Sequence, residues 1–392
     1  MIIRSGRVFG EDGSFAEGDL YVKDGRIVSE EDYGKVADKD TGASVVDATG
    51  LYVIPGLTDI HFHGCVGYDF CDGTEEALER IAEYELANGI TAICPASMTF
   101  PEEKLTEVFR NAAAYRARQG RRTGEAAAGA DLVGINMEGP FIAMEKKGAQ
   151  NGAYIQRPDG DKFARLQEAA QGLIRLVDIA PEVDGAMECI AQIAGKVRVS
   201  LAHTTADYDT AREAFAKGAS HVTHLYNAMP PFSHRAPGVV GAACDTDGVM
   251  AELICDGVHI HPGAVRTTFR MFGDDRIILI SDSMMACGLA DGQYSLGGQD
   301  VTVRGNVATL TQEGNIAGSV TNLMDCLRTA VKHMGIPLGS AVKCAAVNPA
   351  RAMGIYSHRG SLTPGKQADI VLLDESLAIR TIIKDGEIVE FK

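Results

Sequence analysis

The sequence predicts an α/β chain: a (β/α)8 TIM barrel carrying a small β-sandwich domain built from both chain termini. Three observations predict it. Eight apolar, strand-like runs recur between residues 51 and 282, at a mean spacing of roughly thirty residues, the length of one βα unit. Metal-type side chains follow several of these runs, and a barrel gathers its catalytic groups at strand ends. Both chain ends are β-rich and helix-poor, whereas the middle alternates strand and helix. A doubly wound sheet is the competing architecture, but no G-x-G-x-x-G follows an early strand.

The N-terminal segment offers strands at Ile2-Ile3, Asp19–Lys23 and Arg26–Ser29, the last two separated by Asp24-Gly25. Asp-Gly between β-prone runs signals a hairpin, because both residues tolerate positive φ. The C-terminal segment repeats the pattern, with Ala368–Leu373, Arg380–Lys384 and Glu387–Glu390, the last two flanking Asp385-Gly386. Neither end can bury a core alone. Residues 1–55 and 358–392 are therefore expected to pair as the small domain, leaving 56–357 as the barrel.

Within the barrel, strands are expected to end near Asp59, Ser97, Glu138, Glu182, His203, His224, His259 and Asp282. In the first unit Thr74 can cap a helix whose Glu75 and Glu76 favour its positive end. Leu78, Ile81, Ala82 and Leu86 form its apolar stripe, Gly89 stops it, and Ile90–Cys94 form the next strand. Residues 111–130 read as a helix extension and its loop. Residues 292–318, with Gly297-Gly298, Gly305 and Gly314, read as a β excursion after the eighth strand.

At 392 residues, 45% hydrophobic and 23% charged, the composition is that of a globular chain larger than a single ordinary core. A net charge of −16 argues against nucleic-acid or anionic-membrane partners, which need a basic surface. Nine scattered cysteines without a C-x-x-C pair suit reduced, buried thiols. Cys65 and Cys71 lie near the histidine pair described next, but loop packing is the simpler reading for both. The N-terminus has no signal-peptide core and no apolar stretch reaches membrane-spanning length, so a soluble cytoplasmic protein is expected.

His61 and His63 close the run Leu51–Gly64. In an extended strand alternate side chains share a face, so an H-x-H pair aims both imidazoles at one point. Neutral imidazole is a ligand for zinc and similar ions. Glu138, His203, His224 and Asp282 each fall at or just past another apolar run, which suggests a single site.

Pro55–Gly64, reading PGLTDIHFHG, resembles the strand-one signature of the amidohydrolase superfamily. Met137–Phe141 with Lys146–Ala149, then Leu201–Thr204, His224–Met229, Cys255–His259 and Ser281–Met284, resemble the N-acetylglucosamine-6-phosphate deacetylases within it. Asn348–Ala350 and Pro364–Asp369 resemble the return of the superfamily into its β domain. The resemblance covers essentially the whole chain, in order.

It implies removal of acetate from N-acetyl-D-glucosamine 6-phosphate, a step of amino-sugar catabolism, with one or two divalent metals at the barrel mouth. Glu138, His203 and His224 match the required ligands. His61 and His63 imply a second ion with Glu138 bridging. Zinc is the first choice of metal; iron, manganese and cobalt are alternatives. Asp282 matches the general base and acid. Asn227, the Ala228 backbone, Arg235 and His259 match the phosphate grip, the arginine coming from the neighbouring subunit in family dimers; a homodimer is implied. Ala149 and Ile316-Ala317-Gly318 match sugar contacts. One departure is Gln150, where many relatives have His: Gln can hydrogen-bond but cannot carry a proton. Lys146 and Lys147 read as a solvated loop, and His221, His234, His261, His333 and His358 have no motif role. Rival readings are the galacto epimer as substrate, a cyclic amidase or base deaminase, and a non-catalytic scaffold. The Glu138 motif argues against the cyclic amidases, and the complete ligand set against the scaffold.

Overall fold

The computed structural model describes residues 1–37, 44–119 and 129–390. Most of the loop expected after the helix extension, residues 120–128, lies outside the described residues.

Parallel strands form the barrel. Leu57–Asp59, Ile90–Ile93 and Asp131–Leu132 pair in one sheet, and Ile135–Met137, Ile174–Ile179, Arg198–Leu201, His221–Val222, Met250–Ile254 and Ile277–Ile280 pair in order in another. The third barrel strand is thus broken at Val133-Gly134. Its first half pairs with Ile90–Ile93 and its second with Ile174–Ile179. A parallel bridge between Ala96 and Asn136 joins the two sheets. The ring closes where the Asp282 N–H donates to the His61 carbonyl at 2.9 Å and the His63 N–H to that of Ser283 at 2.7 Å. The run Ile277-Ile278-Leu279-Ile280 is buried throughout, as a parallel strand covered on both faces must be.

A helix follows each strand, from Glu75–Ala87 after the first to Leu323–Lys332 after the eighth. Thr74 Oγ1 accepts from the Ala77 N–H at 3.2 Å, and Gly89 leaves the helix with φ +79°. Gly292–Leu296, Gln299–Arg304 and Val307–Leu310 form the expected excursion, a three-stranded antiparallel sheet.

The chain ends meet in one eight-stranded sheet, where Tyr52–Pro55 pairs with both Ile2–Phe9 and Ile370–Leu373. Both Asp-Gly turns are present, with φ of +49° and +73° at Asp24-Gly25 and +52° and +83° at Asp385-Gly386. Gly56 is the hinge between this sheet and the barrel. A Cβ there would lie 2.3 Å from Thr91 Oγ1, so no side chain fits.

Several strands stop short of the positions expected for them. The fourth ends at Ile179 rather than near Glu182, and the fifth and sixth end at Leu201 and Val222, two residues before His203 and His224. The cause at the last two is backbone conformation: His203 and His224 have φ of +43° and +28°, which ends a ladder. The seventh strand ends at Ile254, five residues before His259. There the Asp256 carboxylate accepts from the N–H groups of Val258 and His259, both at 2.9 Å, and turns the chain.

Candidate active site

Glu138 is the centre of a buried cluster at the C-terminal ends of the barrel strands. Its Oε1 lies 2.9 Å from His203 Nε2 and 3.3 Å from His224 Nε2. Its Oε2 lies 3.1 Å from His63 Nε2 and 3.5 Å from His61 Nε2. Asp282 Oδ1 stands 3.3 Å from His63 Nε2 and 3.8 Å from His61 Nε2. Glu138 thus divides its two oxygens between two histidine pairs, and the His61–His63–Glu138 and Glu138–His203–His224 groups each bring three ligand atoms together. Neither group contains a cysteine; Cys65 and Cys71 are buried and packed, with Cys71 Sγ accepting from the Met98 N–H.

The residues fit a divalent cation. His203 Nδ1 is held by the Lys146 carbonyl at 2.8 Å, His63 Nδ1 by the Ala96 carbonyl at 3.2 Å, and His61 Nδ1 by Glu252 Oε2 at 2.9 Å. A carbonyl or carboxylate partner makes Nδ1 the donor, so each Nε2 lone pair is turned into the cluster. His61 Nε2 is buried and has no hydrogen-bond partner among the described residues. The charge balance agrees. Burial favours neutral His63, yet the hydrogen bonds to Asp282 and Glu138 raise its pKa to about 10. The cluster therefore calls for positive charge between its carboxylates.

Glu252 stands beneath the cluster. Burial opposes its charge, but His61 and His221 beside it hold its carboxyl down to about 2. Burial also opposes a charged Asp282, but His63 and His61 hold its carboxyl below the ordinary range.

Above the cluster opens a cleft of about 390 Å³. Its wall includes His63, Glu138, His203, His224, Asp282, Ala149, Asn227, Ala228, His259, Ile316 and Gly318. His259 is held from behind by Asp256, with Nδ1 to Oδ2 at 2.7 Å. Burial lowers the pKa of His259, but the Asp256 carboxylate outweighs it and the net direction is upward. Gln150 also lines the cleft, and its Oε1 accepts from the Thr99 N–H at 2.7 Å. That contact fixes the amide orientation and leaves the NH2 end to donate.

Residues 52–389 match the amidohydrolase family. The N-acetylglucosamine-6-phosphate deacetylase of Bacillus subtilis (strain 168) is 37% identical over 337 residues, 86% of this chain and 84% of that protein. The chain belongs to the N-acetylglucosamine-6-phosphate deacetylase family of amidohydrolases. A second deacetylase, the N-acetylgalactosamine-6-phosphate deacetylase of Escherichia coli O157:H7, is 32% identical over 391 residues, 100% of this chain and 99% of that one. A solved structure is also similar, that of a mutant N-acetyl-D-glucosamine-6-phosphate deacetylase from Mycobacterium smegmatis in complex with N-acetyl-D-glucosamine-6-phosphate. It has a TM-score of 0.88 at 33% identity, covering 99% of this chain and 98% of that one.

Two of the residues picked out by resemblance to the deacetylases stand elsewhere. Ala317 is buried against the excursion, its N–H donating to the Ala308 carbonyl, and it does not line the cleft. Arg235 is exposed on the 231–236 segment and does not line the cleft of its own chain. Lys147 pairs with Glu313 at 3.0 Å, while Lys146 lines the cleft with Nζ 3.5 Å from the Met229 carbonyl.

Sequence reasoning missed Glu252 and Asp256, and it gave His221 no role. His221 Nε2 meets Glu252 Oε1 at 3.0 Å. The available signal was a lone carboxylate within the apolar strand Met250–Ile254, since a buried acid needs a partner.

Proposed function

We propose that this chain hydrolyses the acetamide of N-acetyl-D-glucosamine 6-phosphate to D-glucosamine 6-phosphate and acetate, in amino-sugar catabolism. The observation that carries the proposal is the division of the Glu138 carboxylate between two histidine pairs, with Asp282 alongside and His259 across one cleft. His203 and His224 with Glu138 would hold one ion, and His61 and His63 with the other Glu138 oxygen a second. An N/O donor set of this kind favours zinc. A bound ion supplies Lewis acidity to the amide carbonyl and lowers the pKa of water.

The remaining chemistry belongs to the chain's own residues. Asp282, held ionised by its histidine neighbours, takes a proton from the attacking water. The protonated Asp282 then delivers it to the departing nitrogen, because an amide anion is too poor a leaving group to depart unprotonated. The Gln150 NH2 donates to the acetyl group. His259, braced by Asp256, grips the phosphate with Asn227 and the Ala228 N–H. Ala149, Ile316 and Gly318 shape the sugar pocket.

Arg235, exposed on its own subunit, reaches the phosphate of a neighbouring one in a homodimer. Residues 1–55 and 358–392 form a small domain beside the 56–357 barrel, a reading that the shared sheet of the two ends supports.

A second reading, the galacto epimer as substrate, is favoured by the Escherichia coli relative. Steady-state assays of purified, metal-quantified protein with both N-acetylhexosamine 6-phosphates and their unphosphorylated forms test both. Faster turnover of the gluco phosphate supports the first reading, and faster turnover of the galacto phosphate the second. No acetate release from either phosphate overturns both.

A further inference from the structure

A second cleft, of about 570 Å³, opens at the opposite end of the barrel, between the strand starts and the terminal sheet. Cations reach it from separate elements: Arg26 from the terminal sheet, Arg116 from the end of the helix Glu102–Gln119, Arg175 from the start of the fourth barrel strand, and Arg359 from the C-terminal return. Convergence of four guanidinium groups is unexpected in a chain of net charge −16.

The acids of the wall are already engaged. Asp131 pairs with Arg359 and with Lys384 at 2.9 Å, and Asp385 pairs with Lys384 at 2.5 Å. Arg359 also reaches Asp369 at 2.5 Å. Among the described residues, the other three arginines have no carboxylate partner of their own. Arg26 donates to the Gly365 carbonyl at 2.8 Å, which satisfies a hydrogen bond but leaves the charge. Arg116 and Arg175 donate no side-chain hydrogen bond to any described residue, and Arg116 feels Asp131 only at a distance, behind Arg359 and Lys384. Burial and the surrounding Arg359, Arg26, Arg116 and Lys366 push the pKa of His358, also in the wall, below its ordinary value. The floor is apolar, with Val133, Leu173, Met353 and Ile355.

We propose that this cleft binds a small phosphorylated organic molecule, its phosphate oxygens accepting from the Arg26, Arg116 and Arg175 forks and its carbon skeleton lying on the apolar floor. Guanidinium forks match phosphate oxygens two at a time, and an anion seated among converging cations relieves their mutual repulsion. The site is separate from the deacetylase cleft and rests on none of its residues.

The test uses fructose 1,6-bisphosphate as the probe and calorimetric titration of the metal-loaded full chain. His259→Ala is expected to keep this binding event, since His259 belongs to the other cleft and its loss removes only binding of the probe there. Arg116→Gln with Arg175→Gln should weaken binding by at least about tenfold, because each charge-assisted hydrogen bond to phosphate carries that much. Arg26→Gln alone, a change at an exposed side chain, should move the affinity in the same direction and keeps the test decisive if the double variant does not fold. No binding by wild type overturns the proposal. So does binding that His259→Ala abolishes and the arginine variants leave intact.

Discussion

His61 donates from Nδ1 to Glu252 Oε2 at 2.9 Å, and the same oxygen accepts the His224 backbone N–H at 3.1 Å. One buried carboxylate therefore sets the ring of a histidine just beyond the first barrel strand and the backbone of another beyond the sixth. Those two histidines belong to different halves of the metal cluster. In Glu252→Gln one acceptor oxygen becomes a donor, so either His61 or His221 loses its partner. Metal affinity or activity is expected to fall about ten- to a hundredfold, as is typical when the partner of a ligand is removed. Elemental analysis after dialysis reads this directly, and unchanged metal content with unchanged turnover would remove Glu252 from any positioning role.

Asp282→Asn should fold, keep metal and bind substrate, yet lose a factor on the order of a hundred or more in turnover. Asn preserves the shape of Asp282 but cannot carry the proton to the leaving nitrogen. Single-turnover acetate release from metal-quantified protein measures it. Wild-type-like rates in that variant would give the proton transfer to another group.

Chelation should abolish activity, and so should His203→Ala or His224→Ala. His61→Ala combined with His63→Ala should remove only a second ion. Counting metal per chain separates these cases. If the double variant keeps the wild-type content, His61 and His63 are not ligands and the two-ion arrangement fails.

The Asp256–His259 pair predicts a pH dependence with a definite sign. The pKa of His259 is raised in the folded chain, against the opposing effect of burial, by its Asp256 partner. A raised histidine pKa means that the pair's contribution to stability is complete below the ordinary histidine value and is lost as pH rises through the folded one. The charge offered to phosphate follows the same course. The KM for phosphorylated substrate should therefore climb at alkaline pH, and Asp256→Asn should shift that climb to lower pH. The unphosphorylated sugar should show neither effect; an identical profile for both sugars would contradict the assignment of His259.

Arg235→Ala should lower kcat/KM for the phosphorylated substrate about ten- to a hundredfold, while barely touching the unphosphorylated sugar. Mixing Arg235→Ala chains with Asp282→Asn chains locates the arginine. In a mixed dimer with Arg235 acting across the interface, one site lacks both groups and the other is intact, so activity returns. With Arg235 acting within its own chain, each site lacks one group and activity stays low even after proven subunit exchange.

Much of this architecture was legible because it follows from periodicity and turn chemistry. Asp24-Gly25 and Asp385-Gly386 marked two hairpins, Thr74 and Gly89 bounded a helix, and metal-type residues after apolar runs marked one end of a barrel. The sequence was less informative where tertiary pairing decides. Nothing local shows that the third strand breaks at Val133-Gly134, because the break reflects two different neighbours. The four-residue gap between Ile254 and His259 depends on Asp256 turning the chain, and a lone Asp after a strand has many uses. Ala317 sits between two lining residues but faces inward, an alternation that a three-residue motif conceals. Arg235 could be picked out by resemblance but not placed relative to its own cleft, since its position there is a property of the folded chain.

His203, His224 and Asp282 all hold left-handed backbone, with φ of +43°, +28° and +49°. Side chains other than glycine disfavour that region by roughly 1–2 kcal/mol each. Three residues that line the cleft are therefore also among the least comfortable in the chain. Glycine at any of them would relax the backbone while removing the chemistry. Thermostability and turnover are thus opposed at these positions: a copy of this gene freed from selection for activity would drift toward a sturdier and emptier barrel mouth. A stabilisation campaign guided by melting temperature alone would find the active site first.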